Sequence, residues 1–533
     1  MNKVDFRKIN DWLWEIPKGL RQDMRVPARI YVSEKMLEET DQEALVQLVN
    51  LSTLPGIQRY ALAMPDAHTG YASPIGGVAA IKISDGIISP GLCGYDINCL
   101  APKTKVLLDN GTYLNIKELE KSWKNKKVKF VNFIRNNLDN SELIYFLKKY
   151  NNPTIYRIVV ESGEKIEATE DHPIQTKKGM KEAKFLKEGD FVLIYPFKGV
   201  KYQEPSSEII LTEEEYKKTL KKLGKIEREN AFIQIFNQIR SRNLLPLTYN
   251  HPNLPYILKL MGYIFGNGFI SFRGKKEAQI QFYGELEDLQ EIQKDILKLG
   301  FKFSRIYSRA RNHRIPTFYK TYKFSGTEYS LRICSFGLAA LLAALGTPHE
   351  LKSYKFYRIP KWIFKAPSWQ KRLFLASFFG AELSRSNTIN KYNFYVPRLN
   401  IPKIKGLEKN TKLFLKDVVN LIEEFGIKTY PIQEIPWRQY LREQKQTTGF
   451  RLQITEESEN LINFFETINY EYNLKKQKEA CWAINYLKRK HRVAEIKEEV
   501  KKEIRKTEIA FNSPAFEEFK KKYCFKEKAL FKW

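Results

Sequence analysis

The sequence has 533 residues, more than one ordinary hydrophobic core accommodates, so we predict two to four domains. Its 43% hydrophobic and 13% aromatic content excludes intrinsic disorder, and its five widely spaced cysteines exclude a disulfide framework. The net charge of +29 is uneven, because residues 1–98 contain 10 Lys and Arg against 12 Asp and Glu. This asymmetry favours nucleic acid as the partner of the remaining residues, although a lysine-rich solvated surface gives the same count.

Neither the N-terminus nor any apolar run has the pattern of a targeting or membrane segment. Met1–Pro17 mixes charged and aromatic residues and lacks the apolar core of a signal peptide. The longest apolar run, near Gly337–Leu345, is far short of the ~20 residues that span a bilayer. We therefore expect a cytoplasmic protein without a membrane partner.

Residues 1–98 have the pattern of a compact α/β segment. Ser33–Leu51 has helical periodicity, begins at a serine cap and carries acidic residues in its first turns. From Ile57 onward, short apolar stretches alternate with glycine and proline, which favour turns and close backbone approaches.

Residues 99–204 change to a mostly-β pattern. Thr104–Leu108 and Thr112–Ile116 flank an Asp-Asn-Gly turn and predict a hairpin. Further short strands are predicted at Ile155–Glu161, Lys165–Thr169 and Phe191–Tyr195.

Residues 205–533 mix helical and strand patterns. Helices rich in Lys and Glu are predicted within 212–242, and a strongly charged, solvated helix over 488–506. Two apolar helical segments, 254–270 and 370–387, each end in a cluster of small or acidic residues. They lie at similar places in two halves of this part, which indicates an internal duplication.

A first candidate site combines acidic residues, a histidine and a cysteine. Asp66 and His68 precede Asp96 and Cys99, which stand three residues apart. A carboxylate and a thiolate can share a divalent cation such as manganese, iron or zinc. A glycine-rich turn with a hydrogen-bonded aspartate and a buried cysteine explains the same residues without a metal.

The strings that carry these residues are MPDAHTGYASPIGGV over 64–78 and GYDINC over 94–99. They resemble strings of the RtcB-type RNA ligases. The resemblance implies an enzyme that uses GTP and Mn²⁺ to join RNA ends, tRNA halves among them, that bear a 3′-phosphate or 2′,3′-cyclic phosphate to ends that bear a 5′-hydroxyl. It also implies that Asp96 and the cysteine three residues later bind manganese, while the histidine ligands and the guanylylated histidine lie outside this chain.

At Cys99 the ligase-like string breaks off, and three other strings follow in order. They are CLAPKTKVLLDNG from Cys99, GEKIEATEDHPI from Gly163 and LKEGDFV from Leu186. In this order they resemble the opening, the Thr-x-x-His block and the Gly-Asp turn of an intein. The resemblance implies a Hint-type splicing domain that interrupts the ligase after Asn98 and requires no cofactor.

Protein splicing assigns roles to four residues at this junction. The Cys99 thiolate attacks the preceding carbonyl, that of Asn98, and turns the amide into a thioester. Because an amide is a poor electrophile, one group must polarise it and another must protonate the leaving nitrogen. Thr169 is expected to hydrogen-bond the carbonyl, and His172 to carry the proton. Taken alone, these two residues also fit a strand end and a surface histidine.

Two further strings, LMGYIFGNG over 260–268 and FLASFFGAEL over 374–383, resemble the paired LAGLIDADG helices of homing endonucleases. The resemblance implies close helix packing, double-stranded DNA at the intein-less ligase gene as partner, and Mg²⁺ held by an acid at each helix end. Glu382 keeps one carboxylate, whereas Asn267 places an uncharged amide at the other position. We therefore expect DNA binding to persist and double-strand cleavage to be weak or lost. Ordinary core helices would explain the apolar residues but not the paired end clusters.

Basic and aromatic residues alternate in one stretch of this part, a pattern suited to phosphate and base contacts. A charged solvent-exposed face remains the alternative. The residues concerned are Arg305, Tyr307, Arg309, Arg311, Arg314, Phe318, Tyr319 and Lys320.

These patterns together predict a multidomain chain. Its parts are an α/β ligase N-terminal fragment (1–98), a mostly-β Hint domain (99–204) and an α+β LAGLIDADG-like domain with two pseudo-symmetric halves (205–533). An intein also needs two final strands, a His-Asn pair and a following nucleophile, which this sequence does not contain. We expect either a gene fragment or a separate C-terminal split-intein fragment as a partner.

Three functions follow from these interpretations. The preferred one is a self-splicing precursor of an RNA ligase. The alternative is a site-specific DNA-binding or DNA-cutting protein with only a ligase remnant at its N-terminus. The third is a basic RNA-binding protein without catalytic activity.

Overall fold

The computed structural model describes residues 5–70, 73–87, 99–132, 137–143, 146, 148, 154–226, 229–274, 277–316, 321–386, 388–389, 393–435, 447–507 and 514. The chain divides into two compact units. Unit 1 comprises Met1–Leu100, Asn151–Tyr156 and Ala168–Asp190. Unit 2 comprises Ala101–Tyr150, Arg157–Glu167 and Phe191–Trp533.

A five-stranded sheet forms the first part of unit 1, as the α/β pattern predicts. Its strands follow the chain order Arg7–Asn10, Leu13–Ile16, Ala28–Ile30, Ile57–His68 and Ile75–Ile81. The third and fourth strands pair in parallel and the other neighbours pair antiparallel.

Two helices, Glu34–Glu39 and Gln42–Leu51, occupy the segment predicted as one helix. The break lies at Thr40, which is extended, and Asp41, whose side chain accepts a hydrogen bond from the Glu43 amide at 3.1 Å. Asp41 therefore caps a second helix where periodicity alone suggests continuation. The buried residues of the second helix, such as Leu45 and Leu48, belong to the same hydrophobic cluster as residues of the sheet.

The second part of unit 1 is a short hairpin. Pro173–Thr176 and Gly179–Glu182 pair antiparallel, and a 3₁₀ turn at Ala183–Phe185 follows. The predicted strand Phe191–Tyr195, at the start of unit 2, is wrong: no strand is present there. Phe191 is 76% exposed, and the stretch forms no more than an isolated β-bridge at Val192.

Short strands dominate the first part of unit 2. The predicted hairpin is confirmed as Lys105–Leu107 and Thr112–Asn115, with Val200–Lys201 added in parallel to the second strand. A helix, Ile116–Leu119, follows it, so this block is mostly rather than wholly β. Another strand pair of this unit is Lys127–Asn132 with Asn137–Glu142. Two predicted strands are present as Ile155–Val159 and Lys165–Thr169, and the boundary between the units falls within both of them.

The larger part of unit 2 repeats one order of elements: helix, strands, helix, strands, helix. The first half consists of Leu254–Phe265, Gly268–Arg273, Glu277–Gly284, Leu286–Lys298, Tyr307–Pro316, Thr321–Ile333 and Phe336–Ala344. The second half consists of Ser368–Glu382, Thr388–Ile389, Asn393–Phe394, Arg398–Ile404, Glu408–Glu423, Gln433–Ile435, Thr447–Gln453 and Ser458–Thr467. This repetition agrees with the predicted duplication.

Other elements precede and follow these halves. They are the helices Glu213–Lys222, Asn230–Arg240, Lys361–Lys365 and Leu474–Thr507 and the strands Ile209–Leu211 and Leu247–Thr248. The last helix begins well before the predicted charged segment and buries Ala480, Ala483, Ile484 and Leu487 in its first turns, whereas residues 491–495 of the predicted segment are exposed. None of the helices in the described ranges combines the length and apolar character needed to cross a membrane.

The helices Leu254–Phe265 and Ser368–Glu382, hereafter the first and second paired helices, pack directly against each other at the centre of unit 2. A Cβ atom at Gly262 would overlap the Phe374 carbonyl oxygen. Ser377 donates its hydroxyl hydrogen to the Lys259 carbonyl at 2.6 Å. Small residues therefore allow the close approach, and the serine adds a bond between the helices.

Candidate functional sites

Cys99 lies in a ladder of hydrogen bonds with Thr169. The Thr169 amide donates to the Cys99 carbonyl at 3.0 Å, and Leu100 and Ala168 form an antiparallel bridge beside it. The Cys99 amide in turn donates to the Thr169 hydroxyl oxygen at 3.0 Å, and this hydroxyl donates to the Cys99 carbonyl at 3.3 Å. Thr169 is therefore fixed against the backbone on both sides of the Cys99 α-carbon, and the Cys99 thiol is partly exposed.

The predicted and observed contacts of Thr169 involve different atoms. The prediction pairs its hydroxyl with the Asn98 carbonyl, whereas the structure pairs it with the Cys99 nitrogen of the same peptide bond. Asn98 and Asp96 lie outside the described residues, so the contact with the carbonyl stays a prediction. The observed contact places a hydroxyl beside the nitrogen that would leave in an acyl shift.

His172 follows Thr169 in a tight turn. Its amide donates to the Thr169 carbonyl at 3.1 Å, and its carbonyl accepts from the Ala183 amide at 2.9 Å. The Lys184 amide also donates to the Glu170 carbonyl at 2.9 Å. The hairpin of unit 1 thus fixes the backbone at His172, and its partly buried imidazole follows the strand that ends beside Cys99.

The upstream residues of the first candidate site give no metal centre in the described part of the chain. His68 ends its strand and is exposed, and the side chain of Asp66 lies outside the described atoms. Across the ranges given above, no three side chains of His, Cys, Asp or Glu are grouped so that they could hold a metal ion.

The predicted acid positions lie at the ends of the two paired helices. Asn267 follows the first helix and donates its amide hydrogen to the Ala381 carbonyl of the second helix at 3.1 Å. Glu382 ends the second helix and is partly buried. A Cβ atom at Gly266 would overlap the side chain of Ala381, so the two ends are in contact. The structure therefore brings together the two positions that the sequence pattern paired.

A lysine caps each of these helix ends, and sequence reasoning missed both. Lys352 donates to the carbonyl of Ile264 at 2.9 Å and also contacts the Gly266 carbonyl. Lys476 donates to the Gly380 carbonyl at 2.7 Å. An ammonium group at a helix C-terminus neutralises the negative end of the helix dipole. Each lysine comes from a different element, about 90 residues further along the chain, so no local spacing marks it.

Burial shifts the pKa values of the three ionisable groups in this cluster. It raises the pKa of Glu382 above its ordinary value, although Lys352 and Lys476 act in the opposite direction. Burial also lowers the pKa of each lysine to about 8, against the attraction of Glu382. One carboxylate and two ammonium groups therefore share a partly dehydrated space.

These residues do not fit two Mg²⁺ ions. The Gly266 carbonyl already accepts from Lys352, and the Ala381 carbonyl accepts from Asn267. The position equivalent to Glu382 holds an amide that brings no negative charge, whereas Mg²⁺ prefers carboxylate and other oxygen ligands. The expectation of weak or lost double-strand cleavage stays a prediction.

The predicted basic stretch lies on the strands Tyr307–Pro316 and Thr321–Ile333. Arg305 and Arg332 each lie over the Tyr307 ring, at 5.3 and 5.0 Å from its centroid. Arg309 is exposed, whereas Arg311 is paired with Glu328 at 2.6 Å. The Arg314 side chain and the whole of Phe318, Tyr319 and Lys320 lie outside the described atoms.

The chain is similar to known proteins of more than one name. The model of the family "tRNA-splicing ligase RtcB" matches residues 47–184. A tRNA-splicing ligase RtcB of Pyrococcus furiosus is 39% identical over 509 residues, which cover 94% of this chain and 49% of that protein. The chain thus spans about half the length of the curated relatives of this name.

A relative with a different name also matches most of the chain. The DNA-directed RNA polymerase subunit Rpo1N of Methanocaldococcus jannaschii is 31% identical over 434 residues, which cover 80% of this chain and 31% of that protein. Among solved structures, the homing endonuclease I-WcaI bound to its DNA recognition sequence matches 50% of this chain and 97% of its own, with 11% identity and a TM-score of 0.28. That TM-score is too low to support any argument about this chain.

Proposed function

We propose that this chain is part of a precursor of an RtcB-type RNA ligase, in which an intein interrupts the ligase after Asn98. The observation that carries the proposal is the pair of sequence similarities. The chain is similar to a tRNA-splicing ligase over 94% of its length and to an RNA polymerase subunit over 80%. Residues 99–533 make up a similar share of the chain. A segment that recurs in proteins with unrelated names is expected of an insertion and not of a ligase domain.

The hydrogen bonds at Cys99 support the first splicing step. The Cys99 sulfur attacks the Asn98 carbonyl carbon, the C–S bond forms, the C–N bond breaks, and the thiol proton ends on the Cys99 nitrogen. Thr169 holds this nitrogen at 3.0 Å, so its hydroxyl orients the leaving group. His172 carries the proton to the nitrogen.

The ligase function belongs to the spliced product. Asp96 and the cysteine supplied by the residue after the intein would hold Mn²⁺, with Cys99 in that position before splicing. Manganese would supply a Lewis acid for phosphoryl transfer, and GTP would bind residues outside this chain. RNA ends such as tRNA halves would be the substrate.

Residues 205–533, which contain the paired helices and are hereafter the paired-helix part, would bind double-stranded DNA at the uninterrupted ligase gene. The exposed basic strands and the large positive charge outside residues 1–98 support this. The poor fit to Mg²⁺ at Asn267 supports binding without efficient cleavage of both strands. We also propose a separate C-terminal split-intein fragment as a partner of residues 99–204, hereafter the splicing part.

The test is expression of the complete reading frame that encodes this chain, followed by mass analysis of the products. We expect a ligase that lacks the insertion and a separate insertion that begins at Cys99. Addition of dithiothreitol should release a fragment that ends at Asn98. Cys99→Ala should abolish both results because it removes the nucleophile.

The matched control is Cys334→Ala, which removes another free cysteine and should splice normally. A ligase that retains the insertion in the wild-type protein would overturn the proposal. Efficient linearisation of a plasmid bearing the uninterrupted gene in Mg²⁺ would overturn only the interpretation of Asn267.

A further inference from the structure

Arg372 of the second paired helix is buried among charged and polar partners. It is 2% exposed, and its guanidinium contacts three groups of unit 2. It donates to the Ile468 carbonyl at 3.0 Å, pairs with the Glu471 carboxylate at 2.8 Å and donates to the Asn110 carbonyl at 3.3 Å. A buried arginine with directed partners fixes their relative positions, since its planar fork matches only one arrangement.

The Asn110 contact lies outside the paired-helix part. Asn110 and Gly111 form the turn of the hairpin that begins six residues after Cys99. Gly111 has φ +78°, and a Cβ atom there would overlap the Arg372 guanidinium. The turn therefore packs so closely against Arg372 that position 111 has no space for a side chain.

The same turn also carries the next strand of the splicing part. The Val200 amide donates to the Gly111 carbonyl at 3.2 Å, and Val200–Lys201 pairs in parallel with Thr112–Tyr113. Phe197, three residues earlier, lies under the Arg372 guanidinium at 4.8 Å. One side chain of the paired-helix part thus contacts two separate segments of the splicing part.

A second set of bonds joins the same regions. The amides of Lys198 and Gly199 both donate to the Glu466 carbonyl at 2.9 Å, and the Lys198 ammonium pairs with the Glu466 carboxylate at 2.6 Å. Glu466 lies two residues before Ile468, the other backbone partner of Arg372. The segment from Glu466 to Glu471 is therefore tied to the splicing part both directly and through the arginine.

Loss of Arg372 would leave the Glu471 carboxylate without its nearest positive charge. Glu471 is partly buried, which acts to raise its pKa, but the positive charges of Arg372 and Lys259 hold that pKa below its ordinary value. Removing one partner of a buried pair costs far more than removing an exposed one. The cluster can therefore transmit a change in the paired-helix part to the hairpin.

We propose that Arg372 is a positioning residue for protein splicing, and that the paired-helix part is required for splicing as well as for DNA binding. The inference rests on the proposed splicing function. Arg372 acts through the Asn110–Gly111 turn, which sets the hairpin that follows Cys99. Deletion of the paired-helix part should consequently stop splicing and not yield a smaller active intein.

The test compares Arg372→Met and Arg372→Lys in the complete reading frame. The readouts are the rate of dithiothreitol-induced release of the Asn98-terminated fragment, binding of DNA that carries the uninterrupted ligase gene, and the thermal unfolding midpoint. We expect Arg372→Met to slow release by about tenfold or more, the effect of losing a charged buried hydrogen bond, while DNA binding persists. Arg372→Lys keeps the charge but not the fork and should fall between it and wild type.

The matched control is Arg358→Met, which removes another arginine paired with a largely buried carboxylate, that of Asp417. It lies within the paired-helix part and should release the fragment at the wild-type rate. Equal slowing by Arg358→Met, or wild-type release by Arg372→Met, would overturn the inference. If Arg372→Met does not fold, Arg372→Lys decides: wild-type release from a folded variant overturns the inference, and slowed release with intact DNA binding supports it.

Failure of the proposed splicing function looks different. In that case the wild-type protein releases no fragment and Cys99→Ala changes nothing, which overturns both proposals. Normal release that depends on Cys99 but not on Arg372 overturns only the positioning role.

Discussion

The Cys99–Thr169 site and the ends of the paired helices hold their polar groups by different kinds of interaction. At the junction, Thr169 and Cys99 are joined by neutral hydrogen bonds to backbone atoms. At the helix ends, Lys352 and Lys476 place ammonium groups on helix carbonyls beside Glu382. A neutral arrangement depends on the position of single atoms, whereas a charged arrangement depends on burial and pH. The two sites should therefore fail under different perturbations.

The largest effect is expected at the neutral hydrogen bonds between Thr169 and Cys99. Thr169→Val keeps the shape of the side chain but removes the hydroxyl that holds the Cys99 nitrogen. We expect dithiothreitol-induced fragment release to slow by about 100-fold, the loss typical of one positioned hydrogen-bonding group at a reacting amide. Thr169→Ser retains the hydroxyl and should remain within about tenfold of wild type. Similar rates for valine and serine would show that the hydroxyl takes no part.

Packing between the paired helices comes next. Gly262→Val would force side-chain atoms into the Phe374 carbonyl and should lower the free energy of unfolding by about 1–3 kcal/mol. Urea unfolding monitored by tryptophan fluorescence measures this change. Gly326→Val is the control, since no atom lies within 4 Å of a Cβ placed there. A loss of stability at position 326 that matches the loss at 262 would contradict the close packing.

The buried ammonium groups at the helix ends should make the free energy of unfolding depend on pH. Burial lowers the pKa of Lys476 from 10.5 to about 8, so between these values the unfolded chain binds more protons than the folded chain. Stability therefore rises with pH in this window and is lost as pH falls through about 8. Between about pH 7 and 9.5, this rise should be about 1–2 kcal/mol larger in wild type than in Lys476→Met.

The control for this pH experiment is Lys475→Met. Lys475 is the exposed neighbour of Lys476, and its removal should leave the slope of stability against pH unchanged. Equal slopes for wild type and Lys476→Met would mean that the ammonium is not buried as the structure has it.

The smallest effect should come from restoring a carboxylate. Asn267→Asp adds a negative charge beside Lys352 at the end of the first paired helix. We expect the unfolding midpoint to rise with millimolar Ca²⁺ or Mg²⁺ in this variant but not in wild type, since only a bound ligand stabilises the folded state. A metal-dependent rise in wild type would show that an amide and one carboxylate suffice.

Sequence reasoning succeeded where local patterns decide the structure. The Asp-Asn-Gly turn fixes its hairpin, and the two apolar segments with small residues form the paired helices. Thr169 also lies beside Cys99, because a strand predicted to end at Thr169 meets the residues that follow the junction. In each case the deciding interactions lie within a few residues or follow a residue period.

Sequence reasoning failed where the structure depends on contacts between residues far apart in the sequence. Phe191–Tyr195 alternates like a strand, but a strand needs a continuous neighbour, and this stretch forms only an isolated bridge at Val192. Lys352, Lys476 and Arg372 could not be identified, because each acts on a carbonyl far away in the sequence. Any lysine of this basic chain could in principle cap a helix, so composition gives no means of choosing one.

Positions where the paired helices cross tolerate substitution less well than positions at the helix ends. Gly262 and Gly266 have space only for hydrogen, because a Cβ atom would overlap the Phe374 carbonyl oxygen at the first position and the side chains of Ala381 and Glu382 at the second. Asn267, one residue beyond, is exposed and accepts a different side chain at little structural cost. Random mutation will consequently change the residues at the helix ends long before it changes the crossing, so the scaffold outlasts any activity that those end residues carry.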